Sequence, residues 1–384
     1  MPNYEIYQKT ASGAQGNIID EFVSFEAILR YKSIGKWTLK SSGRELCPLA
    51  PNSGIVVHRD GEVIFSGMVE QIEEDKDVTT GVVNWTVTGE EDTTLLKRRV
   101  IVPDPAGLDF AQYEHDSCSG AADDCVLTYA DYHAAQSARP ERRITNLYTA
   151  DKNGLFPVGH WKVRFSELYK KIAEIGDENG FIISVDWDNA TDRNVVNATA
   201  PADKSETVIF SPEFGNLHKW KRKQIAPKAN AIWCGGQGVG TSRMFVYVED
   251  AASITKWGRI EAFKDRRDVS DEQDASDPRT PEEILTEEAT RFLEESKESD
   301  GFEVEIVPID NMQFRKNWNL GDIVSVVIEG VRYVAPIEEV KISYSNMVET
   351  ITPSIGKIDR GVFEKTKVII DDLADRVAVL ERKE

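Results

Sequence analysis

The sequence predicts a mainly β protein with α+β insertions and a C-terminal helix of heptad pattern. Three observations lead to this prediction. Short β-branched runs alternate with turn residues near both ends of the chain, helical apolar spacing occurs between them, and a seven-residue apolar period follows Gly361. Short strands at regular spacing are typical of a β-barrel or a β-sandwich. The 384 residues are enough for two to four domains with their own cores.

A β-hairpin pattern occurs twice, once near each end of the chain. Each copy starts at a glycine, continues as a β-branched run, and turns through an acidic residue and a glycine, which favour the positive φ angles of a short hairpin. The residues that define the copies are Gly54, Asp60, Gly61, Gly321, Glu329 and Gly330. The repeat indicates a duplicated β unit, although such hairpins also recur by chance in β-rich proteins. Duplicated units in a closed oligomer give a ring with twice as many units as chains.

Residues 1–102 are predicted to form the first β domain. Alternating apolar residues predict strands over 4–7, 22–30, 36–40 and 82–89. Residues 103–207 are predicted to be an α+β insertion. It contains helices over 121–133 and 165–175 and a strand over 181–185, and the apolar stripe of the second helix is Leu168, Ile172 and Ile175.

Strands are predicted to return over residues 208–264, before an acidic linker and a capped helix over 265–300. The start of this helix is clearly marked in the sequence. Thr280 is expected to cap it, Pro281 to take its first position, and Glu283 to complete a capping box.

Residues 301–357 are predicted to form the second β domain, and residues 358–384 a coiled-coil helix. Apolar residues in this last segment recur at a and d positions of nearly three heptads. The proposed seam is formed by Phe363, Ile370, Leu373, Val377 and Leu380. An amphipathic helix lying on its own domain would show the same pattern. The residue types favour two strands, while the attached domains could impose another number.

Charge and composition exclude several classes of protein. The formal net charge of −20 argues against a protein that grips nucleic acid through its phosphates, although it is compatible with a conduit past which DNA slides. The sequence has no apolar run long enough to span a bilayer, and its N-terminus lacks the pattern of a secretory signal. The four cysteines are interpreted as reduced and structural.

No pattern of catalytic or cofactor-binding residues is complete. The glycine-rich run over 235–240 fails the spacing of a dinucleotide loop, and no P-loop or metalloprotease pattern occurs. One cluster has metal-ligand residue types but unsuitable spacing; it consists of His115, Asp116, Cys118, Asp123, Asp124 and Cys125. We therefore expect no enzymatic activity, no metal and no cofactor.

In order and spacing, these pieces resemble the tail hub proteins of long-tailed phages, also described as the N-terminal hub region of tail-associated proteins. The matching stretches are 22–39 with its Ser33-Ile34-Gly35-Lys36-Trp37 turn, 58–69, 164–184, 231–243, 257–263 and 318–324. The resemblance implies two tube-like β-barrel domains with inserted α+β domains. It also implies a homo-oligomer, most simply a trimer, at the distal end of the tail tube of a virion, through which DNA passes without specific binding.

The resemblance further implies assembly in the bacterial host cytoplasm with other tail proteins, including the tail tube or distal tail protein and the tape measure. Many relatives continue into a receptor-binding or wall-degrading region. Here the heptad segment is expected instead to join a fibre or tip protein. Two alternatives stay open: a carbohydrate-binding or depolymerising tail-tip protein, and the hub of a contractile injection system.

Overall fold

A computed structural model describes residues 2–108, 110–270, 279–307 and 312–356. The chain divides into two compact units. The first comprises Met1–Trp220 together with Glu303–Ile355, and the second contains Lys221–Phe302. The predicted heptad seam lies outside the described residues.

The elements of the described residues are numbered here in chain order. The strands are β1 (Tyr4–Lys9), β2 (Gln15–Ile19), β3 (Ser24–Arg30), β4 (Lys36–Ser41), β5 (Gly54–Arg59), β6 (Glu62–Lys76), β7 (Val83–Glu91), β8 (Val100–Ile101), β9 (Asp116–Ala121), β10 (Leu147–Thr149), β11 (Val158–Val163), β12 (Ser166–Glu167), β13 (Ile182–Asp188), β14 (Arg193–Thr199), β15 (Ile209–Phe210), β16 (Leu217–Ile225), β17 (Ala231–Gly235), β18 (Phe245–Glu249), β19 (Glu261–Asp265), β20 (Ser299–Ile306), β21 (Ile323–Ile328), β22 (Val331–Ser345) and β23 (Val348–Gly356). The helices are α1 (Ala122–His133), α2 (Leu168–Asn179), α3 (Ala251–Trp257) and α4 (Pro281–Ser296).

One large sheet dominates the first unit. Its strand order is β16-β20-β23-β22-β3-β4-β7-β6-β5-β1-β2, with β21 pairing β22 and β15 pairing β21 beside this path. Among the described residues these pairings leave the sheet open, with β16 and β2 at its ends, so they form no closed barrel. The structure therefore supports the mainly β class but not a barrel closed within one chain.

The centre of the sheet is amphipathic. On one face, side chains that alternate along β3, β4 and β7 are fully or almost fully buried; they are Phe25, Ala27, Leu29, Trp37, Leu39, Trp85 and Val87. Burying each large apolar side chain contributes about 1.5–3 kcal/mol. The intervening positions carry polar residues such as Glu26, Thr38 and Thr86. The two-residue period explains why these strands were predictable.

An apolar core of the first unit combines residues of the 103–207 segment with Met68, Leu95 and Leu96. Helices α1 and α2 pack with the sheet β10-β14-β13 around an apolar cluster, and the predicted stripe Leu168, Ile172 and Ile175 is confirmed as buried. The predicted start of α2 at Phe165 is wrong. Phe165 has a φ of 48°, outside the right-handed helical region, and the next two residues pair with β8 as β12.

In the second unit, α4 covers one face of the sheet β18-β17-β19. Leu285, Ala289 and Leu293 of α4 belong to one core with Ile232 and Cys234 of β17. The predicted capping box is confirmed, since the Thr280 side chain accepts from the Glu283 amide and the Glu283 carboxylate accepts from the Thr280 amide.

Two further elements of the second unit differ from the sequence prediction. Helix α3 was not predicted. It has only seven residues and shows no extended apolar stripe; the Asp250 side chain caps it by accepting from the Ser253 amide. The sequence predicts a strand over residues 259–263, but β19 begins two residues later, at Glu261, because the Ile260 amide donates to the Asn230 side chain rather than to a strand.

Candidate assembly interface

The hairpin pattern seen in the sequence belongs to a larger structural repeat. Strands β5, β6 and β7 have six, fifteen and nine residues, and β21, β22 and β23 have the same lengths. Asp60 and Gly61 connect β5 to β6 with φ angles of 53° and 84°. Glu329 and Gly330 connect β21 to β22 with φ angles of 52° and 76°. Two successive positive φ angles are the geometry of a type I′ hairpin turn.

The repeat extends to five strands. In the first copy the sheet order is β3-β4-β7-β6-β5, and in the second it is β16-β20-β23-β22-β21. The strands of the two copies also follow one another along the chain in the same sequence. A shared order and shared connectivity over five strands support duplication far better than a single hairpin does.

Both copies change strand partner at the same place. Residues 62–68 of β6 pair with β5, and residues 67–76 pair with β7, with an irregularity between Val69 and Gln71 inside this second ladder. Residues 331–336 of β22 pair with β21, and residues 337–345 pair with β23, with an irregularity between Ile337 and Glu339 at the start of this second ladder. Such bulges bend a strand and increase its twist. Gly54 starts β5, and Gly321, with a φ of 85°, lies two residues before β21.

The two copies are joined edge to edge within the chain. Strand β22 of the second copy pairs antiparallel with β3 of the first over seven residue pairs, from Glu339↔Arg30 to Ser345↔Ser24. Opposite charges meet across this junction. The Arg30 Nε atom lies 3.2 Å from Glu339 Oε2, and the Lys341 Nζ atom lies 3.6 Å from Glu26 Oε2.

The remaining edges of the two copies are exposed and oppositely charged. In the described pairings, residues 70–76 of β6 have β7 on one side and no strand on the other. This segment is the acidic edge, and its charged residues are Glu70, Glu73, Glu74, Asp75 and Lys76. Strand β16 ends the sheet order and is the basic edge, with Lys219, Lys221, Arg222 and Lys223. All these side chains are exposed.

The residues of metal-ligand type serve local structure. The Asp116 carboxylate lies 2.7 Å from His133 Nε2, and Asp123 accepts from the amides of Leu155 and Phe156 at 2.9 and 3.3 Å. Burial, together with a hydrogen bond to Cys118, raises the pKa of the Cys125 thiol to about 12. In the described ranges, no three His, Cys, Asp or Glu residues are placed to share a metal ion.

The glycine-rich run leads into a strand and not into a helix. A short 3₁₀ turn at Gly240–Ser242 precedes β18. The Arg243 side chain donates to the carbonyls of Gly235 and Gly236 at 3.0 and 2.7 Å and pairs with Asp265. These carbonyls are therefore held by a side chain of the same protein, which gives the run a structural role.

Two ionisable sites, one fully buried and one partly buried, were not predicted from the sequence. Lys9 and Asp92 form a fully buried ion pair in the first unit, close to Asn194 and to the Trp187 ring. Glu91 borders a cavity of about 200 Å³ that Asp186 and Arg315 also line. Burial and then the nearby Asp186 charge raise the pKa of Glu91 to about 7. Only tertiary contacts bring these residues together, so no local sequence pattern indicates them.

The fold is that of structurally known phage tail proteins. The 43 kDa tail protein of prophage MuSo2 from Shewanella oneidensis has a TM-score of 0.59 and 14% identity, over 92% of this chain and 98% of that chain. A tail protein from Neisseria meningitidis MC58 has a TM-score of 0.59 and 13% identity, over 92% and 97% of the two chains. The fold of this chain is therefore one that phage tail proteins adopt.

The family is shown by sequence as well. The model of the Siphovirus ReqiPepy6 Gp37-like proteins matches residues 4–357, and the chain belongs to this family. The predicted resemblance to a siphovirus tail protein is thus confirmed. A search of curated proteins finds no matching sequence. Within the described residues, no helix is long and apolar enough to cross a membrane.

Proposed function

We propose that three copies of this chain form a hub ring that closes the distal end of the tail tube and lines part of the DNA exit channel. The duplicated five-strand unit carries this proposal. Because each chain has two copies in one continuous sheet, three chains present six related units. Such a trimer matches a hexameric tube, and the barrels predicted from the sequence would be closed by the assembly rather than by one chain.

Light scattering and negative-stain microscopy of the purified protein test the ring. We expect a mass three times the 43.1 kDa of one chain and rings with a central hole. Particles with one chain, or a compact oligomer with no axial hole, would contradict the proposed hub.

A structural role without catalysis is part of this proposal. The proposal also includes the six-segment division predicted from the sequence and assembly in the host cytoplasm. It includes contacts with the tube, tape measure and fibre or tip proteins as well. Incubation with peptidoglycan and polysaccharides should show no turnover. An activity that one Asp or Glu substitution abolishes would overturn the structural assignment.

The C-terminal heptads are proposed to reinforce the trimer and to join a fibre or tip protein. Ile370→Asp combined with Leu373→Asp places charge in the proposed seam, where unpaired charge is costly. We expect weaker association with unchanged circular dichroism of the main body. Lys383→Ser, outside the proposed seam, serves as the control, and an unaltered oligomer in the Asp variant would remove the seam from the proposal.

Carbohydrate binding is a second candidate, favoured by the second unit. On the face of β18-β17-β19 that α4 does not cover, Trp233, Phe245 and Phe263 are 44%, 49% and 52% exposed. Exposed aromatic rings at adjacent positions of a sheet offer a flat stacking surface. A glycan array with wild-type protein and a Trp233→Ala variant tests it. Binding lost in the variant would favour the tail-tip alternative.

A further inference from the structure

The repeat also identifies which surfaces of neighbouring chains meet. We propose that the acidic edge of one chain, residues 70–76 of β6, pairs as a β-strand neighbour with the basic edge, strand β16, of the next chain. This inference rests on the proposed ring and specifies its contact between chains.

The contact inside one chain is the template for this pairing. Strand β22 occupies the same position in the second copy as β6 in the first, and β3 occupies the same position as β16. Since β22 pairs with β3 at the joined edges, the same rule applied to the remaining edges pairs β6 with β16. The acidic edge is the part of β6 that corresponds to the part of β22 in contact with β3.

In the described pairings the two edges do not meet within one chain, so the partner that we propose for each edge is another copy. In the sheet order six strands separate β16 from β6, namely β20, β23, β22, β3, β4 and β7. An edge that pairs with a different edge of the next copy makes a heterologous contact, which either closes into a ring or continues as a filament.

Charge selects this pairing over the alternatives. The acidic edge has four carboxylates and one lysine, whereas β16 has three lysines, one arginine and no acidic residue. Two acidic edges or two basic edges would place like charges opposite each other, which destabilises paired strands. Opposite charges also meet at the junction within the chain. Arg222 additionally contacts Asp300, so its guanidinium is already oriented in the single chain.

Charge reversal tests the pairing. One variant carries Glu73→Lys and Glu74→Lys, and another carries Lys221→Glu and Lys223→Glu. We expect each to raise the dissociation constant of the oligomer at least about tenfold at low salt, because every contact in the ring then joins like charges. The chain with all four substitutions restores opposite charges at every contact and should assemble again. Glu62→Lys with Glu178→Lys, two exposed sites outside the edge, is the matched control.

The readouts are light scattering at about 50 and about 500 mM salt, and circular dichroism to confirm folding. The edge pairing would be overturned if the charge-reversed variants assembled as well as wild type. It would also be overturned if the chain with all four substitutions did not assemble while the control did. Wild type that stays a single chain would overturn both the pairing and the ring.

Two outcomes separate this inference from the proposed function. Rings in microscopy of the reversed variants would leave the hub intact while removing the edge pairing. A disulfide scan tests the converse case, in which the edges pair but the ring does not close. If Glu73→Cys cross-links to Lys219→Cys, Lys221→Cys or Lys223→Cys of another copy while filaments rather than rings form, the edge pairing stands and the closed hub does not.

Discussion

Lys9 and Asp92 are joined as a fully buried ion pair between β1 and the turn after β7. Removing one partner of such a pair leaves an uncompensated charge, which costs about 3–5 kcal/mol. We therefore expect Lys9→Met to lower the free energy of unfolding by about this amount in urea titrations. Adding Asp92→Asn should recover much of the loss. A single variant as stable as wild type would show that water reaches Asp92.

Glu91 should make stability depend on pH near neutrality. Its folded pKa of about 7 lies above the ordinary value of 4.5, so the stability linked to its protonation is present in acid and is lost as the pH rises through about 7. Glu91→Gln keeps an acceptor for the Gly35 amide and removes the titration. We expect the variant to exceed wild type by up to about 3 kcal/mol near pH 8, with little difference near pH 5. Parallel pH profiles of unfolding would contradict the assignment.

At the scale of elements, the two hairpin turns should respond alike to substitution. Gly61 and Gly330 have φ angles of 84° and 76°, and an added Cβ atom would meet no neighbouring atom within 4 Å at either site. The cost of Gly61→Ala or Gly330→Ala thus comes from the backbone alone and should be about 1 kcal/mol for each. Thermal unfolding measures it. Asp60→Gly and Glu329→Gly, which relieve the same strain, serve as controls.

Elements that depend on local sequence patterns were predictable, whereas elements that depend on contacts between distant residues were not. The turn pairs and the capping box at Thr280 are complete within a few residues, so the sequence alone defined them. The pairing of β22 with β3 joins residues about three hundred positions apart, and no local pattern specifies such a partner. The charged residues of the two edges can be read from the sequence, but only the sheet order shows that these segments lie at edges of the sheet.

For the whole molecule, the acidic balance is expected to keep the assembled protein from adhering to DNA. A conduit must let DNA pass, and the net charge of −20 repels phosphates over the distances that salt does not screen. The basic edge, where cations are concentrated, is covered in the proposed pairing. A gel shift with duplex DNA at about 150 mM salt should therefore show no retention of wild-type oligomer. The Glu73→Lys, Glu74→Lys variant, which is expected to leave β16 uncovered, is the informative comparison. Tight, salt-sensitive binding by the wild-type oligomer would mean that a basic surface faces the DNA and that the protein grips its cargo instead of conducting it.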